Sequence, residues 1–208
     1  MIRPRCFAEN ALRKCVVLIS TALLFAAPAM RADDSAEYET IYLVGFSIFN
    51  PVQFPDSSSE VSGFRVSLVY GKNRVVSGLD ISAFVSVVEE DFYGLEGSVL
   101  INNIGSSSGA LQIAGVANTC YGDYSGLQAA CVANYAEGNL TGGQIGSFNS
   151  AKDVSGFQIG AFNVATSVVG CQIGVINVAQ KVKGLQIGLI NVIKGNDFPC
   201  LPLLNTHF

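Results

Sequence analysis

The sequence predicts an all-β fold: a parallel β-solenoid of about nine 14–16-residue coils, closed by an apolar cap at each end. Three observations predict it. The chain repeats itself nine times between about residues 63 and 197. Four units are close copies, GGQIGSFNSAKDVS from Gly142, GFQIGAFNVATSVV from Gly156, GCQIGVINVAQKVK from Gly170 and GLQIGLINVIKGND from Gly184. Half the chain is apolar, only 13% is charged and Gly occurs 22 times, a balance of short strands and tight corners rather than long amphipathic helices. A unit this short cannot bury an apolar face alone, so the units must stack.

The units are fixed by their key positions. Each opens with Gly, an apolar residue and then a polar one. The polar residues are Arg65, Asp80, Glu96, Gln112, Gln128, Gln144, Gln158, Gln172 and Gln186, spaced by 15, 16, 16, 16, 16, 14, 14 and 14. Ala110 is the one unit start that is not Gly. A second marker is Asn, at Asn102, Asn118, Asn134, Asn149, Asn163, Asn177 and Asn191. The first two units carry Gly71 and Ser86 near that place. The long units hold one extra residue before the Asn and one more before the next Gly, which β-bulges could absorb.

Each unit reads as strand–turn–strand. In Gly170–Val178, Cys171, Ile173 and Val175 alternate with Gln172 and Gly174, so the two sets fall on opposite faces. Like residues stacked on like then form Gln and Asn ladders, each amide bonding the coils above and below. Leu, Ile, Val and Phe are expected to fill the coil interiors. An antiparallel β-barrel or meander is the alternative. It is disfavoured because alternating strand directions would place identical repeats in different environments.

The ends differ from the array. Residues 1–32 have a basic start (Arg3, Arg5, Arg13, Lys14), an apolar run from Cys15 to Ala27 and small residues after it, the pattern of a signal peptide cut after Ala32, with a cut after Ala29 or an uncleaved anchor as the alternatives. Residues 33–40 form an acidic, disordered lead. Residues 41–62 read as an N-terminal cap strand and loop, residues 63–197 as the array and residues 198–208 as a C-terminal cap. Prolines 199 and 202 are expected to end strand pairing there.

Residues 1–32 hold five basic residues and one acidic. Their removal from 12 and 16 leaves 7 basic and 15 acidic, a net charge of −8. That charge argues against nucleic acid and against anionic lipid headgroups as partners.

No catalytic constellation is visible. His207 is the single histidine, beside the C-terminus, and reads as a tail residue. Glu89, Glu90 and Asp91 form an acidic turn, read as solvated rather than calcium-binding. The GSSSG at 105–109 lacks the GK[ST] of a phosphate loop. No HExxH or CxxC points to zinc, so no cofactor or metal is expected. Of the cysteines outside residues 1–32, Cys120 and Cys131 lie in neighbouring coils and are candidates for a disulfide, against the reading of small buried hydrophobes. Cys171 takes a place that Leu or Phe holds elsewhere and is expected in the core.

The tandem G-x-Q-I-G-x-x-N motif, with a signal peptide in front and FPCLPLLN at 198–205, resembles the leptospiral-type surface-repeat family of bacterial exported proteins. The resemblance is close from 94 to 208 and loose in the units at 63–93, where Arg65 and Asp80 replace Gln; Ala130 also replaces the second Gly of its unit. It implies bacterial origin and a place at the cell envelope or surface, and brings no functional residues with it. The expectation is a non-enzymatic exported protein, structural or binding, whose partner is an unknown protein or envelope component. The polar ladders and the turns near Tyr121, Tyr124 and Tyr135 would be its contact surface. The alternative is an integral outer-membrane β-barrel or pore.

Overall fold

The computed structural model describes residues 41–196 and 198–207. The expected signal peptide and acidic lead lie outside these residues. The described chain is all-β, a solenoid of about ten turns.

Sixteen strands follow one another: β1 (Ile41–Phe49), β2 (Val52–Phe54), β3 (Glu60–Ser67), β4 (Tyr70–Asn73), β5 (Val75–Ser82), β6 (Val85–Val88), β7 (Phe92–Ser98), β8 (Ile101–Ile104), β9 (Ser108–Ala114), β10 (Ala117–Cys120), β11 (Tyr124–Ala130), β12 (Ala133–Ala136), β13 (Asn139–Ile145), β14 (Phe148–Ala179), β15 (Lys181–Ile193) and β16 (Cys200–His207). Odd strands stack in parallel as β1-β3-β5-β7-β9-β11-β13-β14, and even strands as β4-β6-β8-β10-β12-β14. Each coil thus gives one strand to each of two facing parallel sheets. Parallel pairing throughout the array excludes the barrel and the meander, whose neighbouring strands run in opposite directions.

The register is the one the repeat dictates. Gly78 lies over Gly94, Gln128 over Gln144, and Asn118 over Asn134. Gly71 and Ser86 continue the Asn column, since Gly71 pairs with Ser86 and Ser86 with Asn102. Array strands pair without a register break, so no bulge absorbs the extra residues of the long coils. They sit at the corners instead: Cys131 and Val132 turn the corner between β11 and β12, where a short coil has Ser147. At this corner the short coils need Gly. A Cβ on Gly160 would run into the Gly146 carbonyl and Asn149 Nδ2. The wider corner admits Ala114 and Ala130 at the same place.

The unit-opening Gly has a separate cause. Gly156 has φ +140°, and a Cβ there would collide with the Gly142 carbonyl below it. Ala110 escapes the requirement because its own φ is not positive.

The caps partly depart from expectation. β1 extends the stack, pairing parallel with β3, and β2 folds back on it. β16 does not end the pairing at its prolines. It adds an antiparallel strand to β15, with Pro202 at the irregularity between Leu201 and Leu203.

Candidate functional site

The inside of each coil is built from four inward positions. In the coil from Gly156 they are Gln158, Asn163, Ala165 and Val168, all buried. The amides are therefore core residues, and the contact surface expected from them does not exist.

The Gln column is one chain of hydrogen bonds. Each Nε2 donates to the Oε1 of the preceding coil: Gln128 to Gln112 at 2.9 Å, Gln144 to Gln128 at 2.8 Å, and on to Gln186 to Gln172 at 2.7 Å. The Asn column runs the other way. Asn102 Nδ2 donates to Asn118 Oδ1 at 2.9 Å, and the series continues to Asn177 and Asn191 at 2.7 Å. The two columns thus carry opposed dipoles. From Asn102 to Asn177 each Asn also donates to a corner carbonyl of the next coil: Asn118 to Ala129, Asn134 to Ile145, Asn163 to Ile173. A buried amide is tolerated when its donors are paired, and here they pair with copies of themselves.

A directional ladder needs an acceptor at its far end, and Glu96 provides it. Gln112 Nε2 donates to Glu96 Oε2 at 2.6 Å. Beyond Glu96 the column turns ionic. Arg65 Nε donates to Asp80 Oδ1 at 2.9 Å, its Nη1 to Asn73 Oδ1 at 3.1 Å, and its Nη2 reaches both Asp80 Oδ2 and Ser86 Oγ. Gly45 stands where a ladder side chain would otherwise cover Arg65. Burial works against the Arg65 cation, but the Asp80 carboxylate, with Glu96 and Tyr70 adding to it, holds the guanidinium above its usual pKa. Burial, with Asp80 adding repulsion, pushes the Glu96 carboxyl up to about 7. Glu96 Oε1 has no partner among the described residues, nor has Asn102 Oδ1.

The outside carries what the sequence reading placed inside. Residues flanking the Gln column point outward: Leu95 and Ile113 are 52% and 53% exposed, and Ile145, Ile159, Ile173 and Ile187 are exposed too. Cys171 lies on this outer face, half-buried, and not in the core. Leu, Ile and Val do occur inside, as Leu140, Ile104 and Val168, but at fewer positions than the amides.

The two long edges differ. One is formed by the turns that lead into the odd strands. It carries Arg74, Glu89, Glu90, Asp91, Asp123, Glu137, Lys152, Asp153, Lys181 and Lys194. The acidic turn is ion-paired: Glu89 meets Lys72 Nζ at 2.6 Å and Glu90 meets Arg74 Nη1 at 3.0 Å. The other edge holds the corners between odd and even strands. Leu68, Val69, Phe84, Val99, Val132, Val175 and Leu189 are exposed along it. No charged residue lies at these corners in the array.

The remaining candidates fall separately. Cys120 and Cys131 form no disulfide: Cys120 is buried inside, Cys131 is exposed at the apolar edge, and both are free. Burial raises the Cys120 thiol to about 11. Tyr124 is buried and donates its hydroxyl to the Ala110 carbonyl at 2.8 Å, so it is no surface contact. Tyr121 and Tyr135 are partly exposed and meet edge to face. Among the described residues no group of His, Cys, Asp and Glu has the geometry to hold a metal ion.

No family model, no curated protein and no solved structure matches this chain.

Proposed function

We propose that the protein is a non-enzymatic, exported repeat protein of the bacterial cell envelope or surface, acting as a structural or binding element. The observation that carries this reading is the placement of the chemistry-bearing side chains. The amides, Arg65, Asp80 and Glu96 face inward and bond to one another, so the solenoid offers its outer surface to a partner. The export half of the proposal rests on residues 1–32, with their basic start and 13-residue apolar run from Cys15 to Ala27. The G-x-Q-I-G-x-x-N resemblance supports the same address.

Expression of the full chain in a bacterium with an outer membrane tests it. N-terminal sequencing of the recovered protein should read from Asp33, and cell fractionation should find it outside the cytoplasm. An uncut chain in the cytoplasm would overturn the export reading.

A further inference from the structure

The solenoid reverses the usual soluble arrangement: its amides are inside and most of its large aliphatic and aromatic side chains are outside. The reversal is not uniform around the coil. It is centred on the corner edge from Leu68 and Val69, through Phe84, Val99 and Val132, to Val175 and Leu189, where Val99 is 60% and Leu189 63% exposed. The adjoining rows of both sheets extend it, through Ile159, Ile173 and Ile187 on one and Ile190 on the other. Every exposed charged side chain described between 63 and 196 lies on the opposite edge, or two residues into β15 from it in the case of Lys183. Scattered exposed apolar residues are ordinary on a protein surface, but a continuous uncharged strip along a whole solenoid marks an interaction surface.

We infer that this apolar edge seats in the hydrocarbon of one leaflet of a lipid bilayer, the solenoid axis lying in the membrane plane and the charged edge remaining in water. Three features select lipid over a second copy of the chain. The first is shape. The apolar surface wraps a convex edge and runs onto both sheets, whereas a face-to-face dimer of sheets would cover one flat side and leave the edge wet.

The second is the state of the backbone. Hydrocarbon does not admit an unpaired N–H or C=O. Most corner N–H groups along this edge have a partner; those of Phe84 and Cys131 have none among the described residues. Val132 N–H donates to Val116 O, Ser147 N–H to Cys131 O and Phe162 N–H to Ser147 O. The carbonyls of Ile145, Ile159, Ile173 and Ile187, which turn inward at the same corners, accept from the Asn column. The Asn ladder thus pairs four carbonyls that would otherwise oppose seating this edge in lipid.

The third is size. Strands rise ~3.3 Å per residue, so a coil is ~20 Å across and its uncharged half ~10 Å deep. That matches the depth to which an interfacial element enters a leaflet, about 5–10 Å. The inference rests on the envelope reading only for where the protein meets a bilayer; its test needs no export.

The chain contains no Trp, so one introduced Trp is an unambiguous reporter. Leu189→Trp puts it on the apolar edge and Gln180→Trp on the charged edge of the adjacent coil. Each full-length variant is mixed with phosphatidylcholine vesicles whose acyl chains are brominated, after circular dichroism confirms an unchanged β spectrum. The expected result is a blue shift and at least a twofold loss of emission for Leu189→Trp, with Gln180→Trp unchanged. Residues 1–32 could tether the chain to vesicles, but a tether alone would treat both reporters alike. Equal quenching of the two, or none in either, would overturn the proposal. A dimer seen by sedimentation without vesicles, and lost in Val175→Lys, would replace lipid by a second copy. Failure of the export experiment would leave this result untouched, and the converse also holds.

Discussion

The first coils and the last coils follow the same path around the same two sheets but fill the polar column differently. From Gly142 onward it is a neutral chain of Gln amides, repeated every 14 residues. Between Gly63 and Gly109 the same column holds Arg65, Asp80 and Glu96, with Ser86 and Asn73 gathered around the guanidinium. The neutral ladder is self-replicating: one more coil needs one more Gln and one more Asn. The ionic segment cannot be extended, because each member has a different partner. The comparison teaches that the ladder has a direction, and that the ionic cluster is its terminus.

The sharpest break in that comparison is removal of the cation. Arg65→Met leaves the buried Asp80 carboxylate without its guanidinium and should cost about 3–5 kcal/mol, the range for stranding one member of a buried ion pair. Denaturant unfolding would read it. Below pH 7, where the Glu96 carboxyl holds its proton, the double variant Arg65→Met with Asp80→Leu should recover most of the loss, because it strands no charge. If the double variant is as unstable as the single one, the cluster's role is packing and not charge balance.

Glu96 is where the ionic segment and the neutral ladder join, and its pKa gives the join a pH signature. The folded carboxyl titrates at about 7 against its ordinary value of 4.5, so between those values the folded state binds more proton than the unfolded chain. Stability therefore falls as pH rises through that window and stays low above it. The groups that face Glu96 are Asp80, Arg65, Ser86 and Gln112. Glu96→Gln extends the amide ladder by one rung and removes the titration. It should raise stability at pH 8 by on the order of 3 kcal/mol and change it little at pH 4. Equal effects at both pH values would show that folding leaves the Glu96 pKa unshifted.

Within the neutral ladder a single interruption should cost less. Gln158→Leu leaves Gln144 Oε1 without its donor and Gln172 Nε2 without its acceptor. Two neutral groups lose partners, and no charge is stranded, so the expected loss is ~2 kcal/mol by thermal or denaturant unfolding. A loss as large as that of Arg65→Met would mean that the ladder is strongly cooperative along its length.

The sequence made the nine array units, their boundaries and the ladder register legible, because Gly, Gln and Asn recur at fixed spacing and stacked units place like on like; the turn that β1 adds lacks those markers. Gly71 and Ser86 were recognisable as members of the Asn column before that column acquires Asn. Which side faces inward was not legible. Alternation with period two shows that Cys171 and Ile173 oppose Gln172, but not which set is buried, and ordinary hydrophobicity chose wrongly because the amides satisfy each other. A signal was present in the variation from coil to coil. The position before Gln holds Gly143, Phe157 and Cys171 in successive coils, volumes that one tight core could not accept in turn. Inside, such variation is compensated: Ser108 lies between Phe92 and Tyr124. The coil lengths carried a second signal. The 16-residue coils enclose Phe92, Tyr124 and Leu140, where the 14-residue coils have Val154, Val168 and Val182.

The smallest expected effect bears on the outer surface. Leu189 is exposed and lies on the apolar edge, so if that edge faces water in the isolated protein, Leu189→Lys should shift stability by less than ~0.5 kcal/mol in buffer. Its neighbour in space is Gly188, whose corner is fixed by Asn191 donating to the Gly188 carbonyl at 2.9 Å, and a side chain pointing away from that bond leaves it intact. The same substitution at an inward position such as Val182 would bury a charge and unfold the coil. A clear destabilisation from Leu189→Lys in buffer would mean that the edge is already covered by part of this chain or by another copy. A neutral result leaves the edge open and assigns its apolar character to what it meets and not to the folding of the coil.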